Sequence, residues 1–367
     1  AAIAPEFAAR RRFARRRPRV GVVSAFLRHC TVGSYFGTWV GALREAGCEV
    51  VTIALGPRHD EFTARLEAAA NRALRPDGDL HAIAAAVHGA ECDLLIYPEI
   101  GMDPRVQVLA ALRLAPVQAM AWGHPVTGGL PTIDAYFSCA AMEPIEAAAH
   151  YRERLVPLPG IGTRYLHPDA PSPRPRMQLG LPENRRLVLV PQSPFKLHPD
   201  NDVVLATVLA AAPEADLVLF GGDAPGATRR LRARFATAGI DPARLHWLTL
   251  TGRARYLEIN RACDLMLDTL HWSGGNTSID ALAVGLPVVT AAGEFMRGRQ
   301  TAAMLGLLGL DDLDGTAATL AARAVTLLRD EPRRAALGER LRADMPGLLG
   351  DTATLAAFGE AVHALLA

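Results

Sequence analysis

Short apolar runs alternate with longer amphipathic stretches along most of the chain. Arg19-Val20-Gly21-Val22-Val23-Ser24 reads as a buried strand closed by a polar turn. A helix over Val32 to Ala46, a strand over Glu49 to Leu55 and helical stretches over Asp60 to Gly89 follow. Asp93 to Tyr97 reads as a strand, Pro104 to Leu114 as a helix and Val117 to Trp122 as another strand. Between His167 and Arg186 the pattern lapses into HPDAPSPRPRMQLGLPENRR, with five prolines in twenty residues, which marks a domain boundary. The alternation then resumes: strand Leu187 to Pro191, helix Asn201 to Ala212, strand Asp216 to Phe220, helix Ala227 to Ala238 and strand Leu245 to Leu250. A helix around Tyr256 to Arg261 and a strand Asp264 to Leu267 complete it, and amphipathic helices over Pro332 to Ala343 and Asp351 to Leu366 are expected on the outside. A βαβα order predicts mostly parallel sheets wrapped by helices, so the fold class is α/β with two doubly wound Rossmann-like domains facing a cleft. The expected divisions are a basic linker at 1–18, a first domain at 19–168, a second at 187–350 and a C-terminal helix at 351–367.

One stretch organises the second domain. Ser273 to Thr290 reads SGGNTSIDALAVGLPVVT: a polar glycine turn, a short helix, a second glycine and an apolar strand. Gly274 and Gly275 let a ligand approach the backbone closely, and a helix start offers free N–H groups and the positive end of a dipole to an anion. Thr277-Ser278-Ile279-Asp280 has capping-box spacing and sets the helix start near Asn276 or Thr277. The alternative is an ordinary connection in an α/β protein.

Composition narrows the field. At 367 residues and a net charge of +1, the chain carries no global pull toward nucleic acid or membrane. No apolar run reaches membrane-span length and no signal-peptide core is present. Five scattered cysteines without ligand spacing suit a reducing cytoplasm and argue against structural zinc. Seven arginines crowd the first nineteen residues, read as a solvated linker with a phosphate or nucleic-acid patch as the alternative. The chain begins at Ala1 rather than at a methionine, as a piece of a longer protein would. Of 39 basic residues only Lys196 is lysine, which singles out a place where a compact ammonium matters.

Phosphate-loop, dinucleotide-fingerprint, nucleophile-elbow and zinc-protease motifs are all absent, which removes weight from ATPase, dehydrogenase, serine hydrolase and zincin readings. Asp312-Leu313-Asp314 has a short metal-binding pattern but reads as a solvated turn. Lys196, just past the first strand of the second domain, is placed to meet a phosphate and offset charge on a leaving group. His29 holds the matching place in the first domain, where an imidazole serves as base or orients an acceptor; His124 lies on a second crevice loop, Gly123 to Gly129. Tyr256 and Trp272 are candidates for stacking a base, with core packing as the alternative. Arg297 and Arg299 follow the next strand and are candidates for reaching the same anion, with a surface role at a helix start as the alternative.

With these residues assembled, the chain resembles the catalytic region of the protein O-GlcNAc transferase family, its plant SPINDLY branch and the bacterial cytoplasmic N-glucosyltransferases. RVGVVSAFLRHCTVG, IGMDP with LRLAPVQAMAWGHP, PFKLHPDND, CDLMLDTLHWSGGNTSIDALAVGLPVVT and GEFMRGR carry the likeness, over roughly Arg19 to Leu310. The resemblance implies a GT-B fold and transfer, with inversion and without metal or cofactor, from a nucleoside-diphosphate sugar to a protein Ser/Thr or Asn side chain. It implies donor contacts at Gln192, Ser193, Lys196, Tyr256, Ser273, Gly274, Gly275, Asn276, Thr277, Asp280 and Arg299, and an acceptor side at His29, His124 and Thr127. Lys196 and His29 take the catalytic parts.

The pattern departs from the family in places. The donor-side glutamine three residues before the lysine in the O-GlcNAc branch falls here at Ser193, with Gln192 one place earlier. GHP, IGMDP and GNT lean toward the N-glucosyltransferases, whereas the WSGG turn and the LDAL-like helix lean the other way, so UDP-GlcNAc and UDP-glucose both stay open as donors. Tetratricopeptide repeats usual in the family are not in this chain and are expected, where present, upstream. The rivals are a GT-B enzyme acting on a lipid or small molecule, a nucleotide-sugar epimerase using Asp280 and Glu99, and a silent nucleotide-sugar binding module.

Overall fold

A computed structural model describes residues 7, 16–169, 171–221, 225–249 and 252–367. Most of the arginine-rich segment 1–18 therefore lies outside the described residues, as does Leu250. The chain divides into two compact units, residues 1–166 with 349–367, and residues 167–348.

The first unit is built on β1 (Arg19–Ser24), α1 (Thr31–Glu45), β2 (Glu49–Ala54), α2 (Glu61–Ala69), β3 (Arg72–Leu74) and α3 (Leu80–His88). β4 (Leu94–Tyr97), α4 (Pro104–Ala111), β5 (Val117–Met120), β6 (Ala135–Cys139) and β7 (Arg154–Leu158) complete its sheet. The order is β3-β2-β1-β4-β5-β6-β7, and every pairing is parallel. Central strands covered on both faces read as continuous apolar runs, and β1 is buried from Val20 to Ser24. The helical stretch expected over Asp60 to Gly89 is broken by β3, an edge strand of three residues whose RAL sequence is mostly exposed. β6 and β7 were also not foreseen.

The second unit contains β8 (Arg186–Val190), α5 (Asp200–Ala211), β9 (Ala215–Gly221), α6 (Pro225–Thr237), β10 (Leu245–Thr249) and α7 (Arg253–Ala262). β11 (Leu265–Leu267), α8 (Asn276–Ala283), β12 (Val288–Ala291), α9 (Gln300–Leu307), β13 (Asp314–Gly315) and α10 (Leu320–Arg329) follow. Its sheet, β10-β9-β8-β11-β12-β13, is again parallel throughout. Asp314, expected in a solvated turn, instead pairs in β13 and accepts the Ala292 N–H at 3.0 Å.

The last two helices are α11 (Glu331–Gly350), longer than its sequence pattern implied, and α12 (Ala353–Leu366). α12 is no outer lid: it returns to the first unit and enters its core. The Phe358 ring stacks on Trp39 of α1 at 4.0 Å between centroids, and both side chains are fully buried. No helix among the described residues is long and apolar enough to cross a membrane.

Candidate functional site

In a doubly wound sheet, ligands bind beyond the carboxyl ends of the strands where the winding direction reverses. In the second unit this point lies between β8 and β11, because β9 and β10 extend one way and β12 and β13 the other. Gln192 to Lys196 leave β8 there, and Asp268 to Gly275 leave β11. The sequence-predicted glycine turn and the lone lysine thus sit on adjacent strands.

Asp268 organises the turn. Its carboxylate, 2% exposed, accepts the Ser273 hydroxyl at 2.6 Å, the Gly274 N–H at 2.8 Å and the Thr290 hydroxyl at 2.7 Å. Thr301 at the head of α9 locks the same loop: its hydroxyl donates to the Gly274 carbonyl at 3.0 Å, and its N–H donates to Ser273 Oγ at 3.0 Å. The Ser273 hydroxyl is therefore engaged inside the protein. Gly274 has no room for a side chain, since a Cβ there would lie 2.3 Å from Ser278 Oγ and 2.7 Å from Thr277 Oγ1. The Ser273 N–H donates to the Arg297 carbonyl at 2.7 Å, so the Gly293 to Arg299 loop braces the turn from outside.

The expected capping box does not form. Gly275 is the N-cap of α8, and no side chain among the described residues caps the helix start. Asp280 is drawn instead to Arg253 of α7, 2.6 Å away, and to the Asn276 side-chain amide at 2.8 Å. Burial outweighs these partners and pushes the Asp280 carboxyl up to about 6. Thr277 Oγ1 is buried without a hydrogen-bond partner. An uncapped helix start with an unanswered hydroxyl is suited to an oxyanion.

The Lys196 ammonium stands over the Trp272 ring, 5.1 Å from its centroid. It has no carboxylate partner among the described residues, and burial lowers its pKa. Gln192 is buried beside it in the chain, and Ser193 is exposed, its carbonyl accepting the Lys196 N–H at 2.9 Å. Tyr256 packs its ring 5.4 Å from Phe220. Arg299 donates to the Gly293 carbonyl at 2.9 Å, and Arg297 lies over the Phe295 ring. Asp312 is ion-paired with Arg333.

In the first unit the reversal point lies between β1 and β4. His29, past β1, is exposed; its N–H is held by Asp60 at 2.8 Å and its ring stacks on Phe62. Glu99, past β4, is fully buried, accepts the Ala25 N–H at 2.9 Å and leaves Oε2 without a partner. Burial pushes its carboxyl up to about 8. His124 packs against Gly101, where a Cβ would lie 2.9 Å from the imidazole. The Thr127 hydroxyl donates to the buried Glu153 at 2.6 Å.

Sequence reasoning missed Asp268, Thr301 and Arg253. Only Asp268 had a local signal, an acid directly after a buried strand.

No family model matches the chain. A probable UDP-N-acetylglucosamine–peptide N-acetylglucosaminyltransferase, SEC, of Arabidopsis thaliana is 25% identical over 339 residues, covering 89% of this chain and 35% of its own length. A UDP-glucose:protein N-beta-glucosyltransferase of Actinobacillus pleuropneumoniae is 27% identical over 243 residues, covering 65% of this chain and 38% of its own length. The chain thus spans little more than a third of these relatives. A mutant O-GlcNAc transferase of Thermobaculum terrenum superposes with a TM-score of 0.84 at 28% identity, covering 96% of this chain and 68% of that one. With its two Rossmann-like units the chain has the GT-B fold, and it is similar to the O-GlcNAc transferase and SPINDLY glycosyltransferases and to the bacterial protein N-glucosyltransferases.

Proposed function

We propose that the chain is the catalytic part of a glycosyltransferase that moves a sugar from a nucleoside-diphosphate sugar to a protein side chain. The observation that carries this reading is the Lys196 ammonium, part-buried over Trp272 without a carboxylate partner among the described residues, at the same reversal point as the uncapped start of α8. An ammonium and helix N–H groups together offset the negative charge of a departing diphosphate. That supply of positive charge supports a transfer that needs no metal. The short Asp312–Asp314 pattern supports it too, since Arg333 and the Ala292 N–H already occupy its carboxylates. Inversion at the sugar carbon is part of this reading, as the family resemblance implies.

Relatives named for UDP-N-acetylglucosamine and for UDP-glucose support a uridine donor of one of those two sugars and a peptide or protein acceptor; this reading assigns the acceptor to the His29 side of the first unit. Five cysteines outside any disulfide, four of them buried, suit a reducing cytoplasm. The test is incubation of the full chain with labelled UDP-N-acetylglucosamine, UDP-glucose and GDP-fucose in the presence of cytoplasmic proteins. Label carried onto protein from a uridine donor is the expected result; an isomerised sugar, or binding without turnover, overturns it.

A further inference from the structure

We propose that His198, Asp200 and His271 form a binding site for one transition-metal ion of the zinc and cobalt class. The proposal does not rest on glycosyl transfer. His271 Nε2 lies 2.6 Å from Asp200 Oδ2, and His198 Nδ1 lies 3.4 Å from Asp200 Oδ1. The two imidazoles meet edge to face with centroids 4.7 Å apart, and the three ligand atoms fall within 4.8 Å of one another. Two imidazole nitrogens and one carboxylate oxygen make the mixed donor set that zinc and cobalt take, whereas magnesium and calcium prefer oxygen alone. All three side chains are more than half exposed, which leaves the remaining coordination positions open to water or to a ligand oxygen.

The scaffold beneath is built rather than incidental. Asn201, 3% exposed, donates its amide to the His198 carbonyl at 3.0 Å and accepts the Leu270 N–H at 2.8 Å. One buried side chain thus fixes the two histidine-bearing loops against each other, as a preorganised chelate requires. His271 itself holds φ at +68°, a conformation that favours glycine, yet an imidazole stands there. The ion would tie together the loops that carry Lys196, two residues before His198, and Trp272, the neighbour of His271.

The experiment titrates the chelator-treated full chain with Co2+, followed by visible absorption and thermal unfolding, and then displaces Co2+ with Zn2+. One equivalent of bound Co2+ and a raised unfolding temperature are expected. Asp200→Asn should weaken binding about 10-fold or more, and His271→Gly should abolish the cobalt spectrum. Glycine suits the backbone at 271, so the metal-free variant should unfold at the same temperature as the parent or higher, which separates lost chelation from misfolding. Failure of the parent to bind Co2+, or binding that survives both substitutions, overturns the site and leaves only a histidine–aspartate ion pair.

Discussion

Lys196 rests its ammonium 5.1 Å above the centroid of Trp272 rather than on a carboxylate. The indole face stabilises the charge without neutralising it, so the full charge remains available to an anion. If that anion is a leaving diphosphate, Lys196→Ala should cut turnover about 100-fold or more. Lys196→Arg should recover only part, because a planar guanidinium does not replace a point charge. Steady-state release of UDP, with circular dichroism as the fold control, checks this; near-normal turnover in the alanine variant would remove Lys196 from the mechanism.

Asp280 gives a pH signature. Its folded pKa, pushed by burial to about 6, lies above the usual carboxylate range. As pH falls through about 6 the carboxylate gains a proton and loosens its hold on Arg253 and Asn276, which position the start of α8. Donor affinity should therefore drop below about pH 6. The stability effect has the opposite sign: a carboxyl with a raised folded pKa adds stability that is complete below its unfolded value and lost as pH rises through about 6. Mild acid should thus weaken donor binding while the second unit stays folded. Asp280→Asn should bind more weakly throughout and lose the acid limb; calorimetric titration of UDP between pH 5 and 8 separates the two.

Glu99 shows the same sign in the first unit, over a wider window. Its carboxyl titrates near 8 when folded against the ordinary range when unfolded, so its contribution is lost as pH rises through about 8. The first unit should unfold at lower temperature at pH 9 than at pH 6. Glu99→Gln, neutral at every pH, should flatten that slope and be the more stable protein at pH 9. Parallel slopes for the two proteins would remove Glu99 as their source.

The sheets and the site's frame were legible because their signals are local. β1, β8 and β11 are apolar runs ended by polar turns, and the glycine turn and Lys196 lie within a few residues of strand ends. What was not legible depends on partners distant in sequence. Asp268 binds Ser273 and Gly274 nearby but also Thr290, 22 residues on, and Thr301 closes the loop onto Ser273 from 28 residues away. Asp280 looked like a capping residue because spacing alone says so; Arg253, 27 residues earlier, claims it. β7 shows an irregular burial pattern with an exposed proline at 157, so neither alternation nor a continuous apolar run announced it.

Asp268→Ala tests whether that hub holds the turn. The substitution leaves the Ser273 hydroxyl, the Gly274 N–H and the Thr290 hydroxyl without their acceptor inside a buried pocket. Hydrogen bonds to a charged group contribute about 1.5–3 kcal/mol each, so a loss of about 3 kcal/mol or more is expected. Denaturant unfolding should show it in the second unit, with donor binding lost even under conditions where that unit remains folded. Unchanged binding would mean that the turn keeps its shape without Asp268.

The C-terminal helix supplies the last prediction. Phe358 stacks on Trp39 at 4.0 Å and meets the Phe137 ring edge-on at 5.1 Å, so α12 fills the first unit's core from the far end of the chain. Gly359 admits the close approach of α1, since a Cβ there would lie 2.8 Å from the Ala46 side chain. Phe358→Ala removes a fully buried aromatic and should cost about 3–5 kcal/mol. Removal of 353–367 should expose Trp39 and shift its fluorescence to the red. Because this helix belongs to the first unit while the proposed diphosphate seat lies in the second, the Phe358 variant should bind UDP with nearly parental affinity as long as the second unit stays folded. Loss of UDP binding in proportion to the loss of stability would instead show that the two units unfold together.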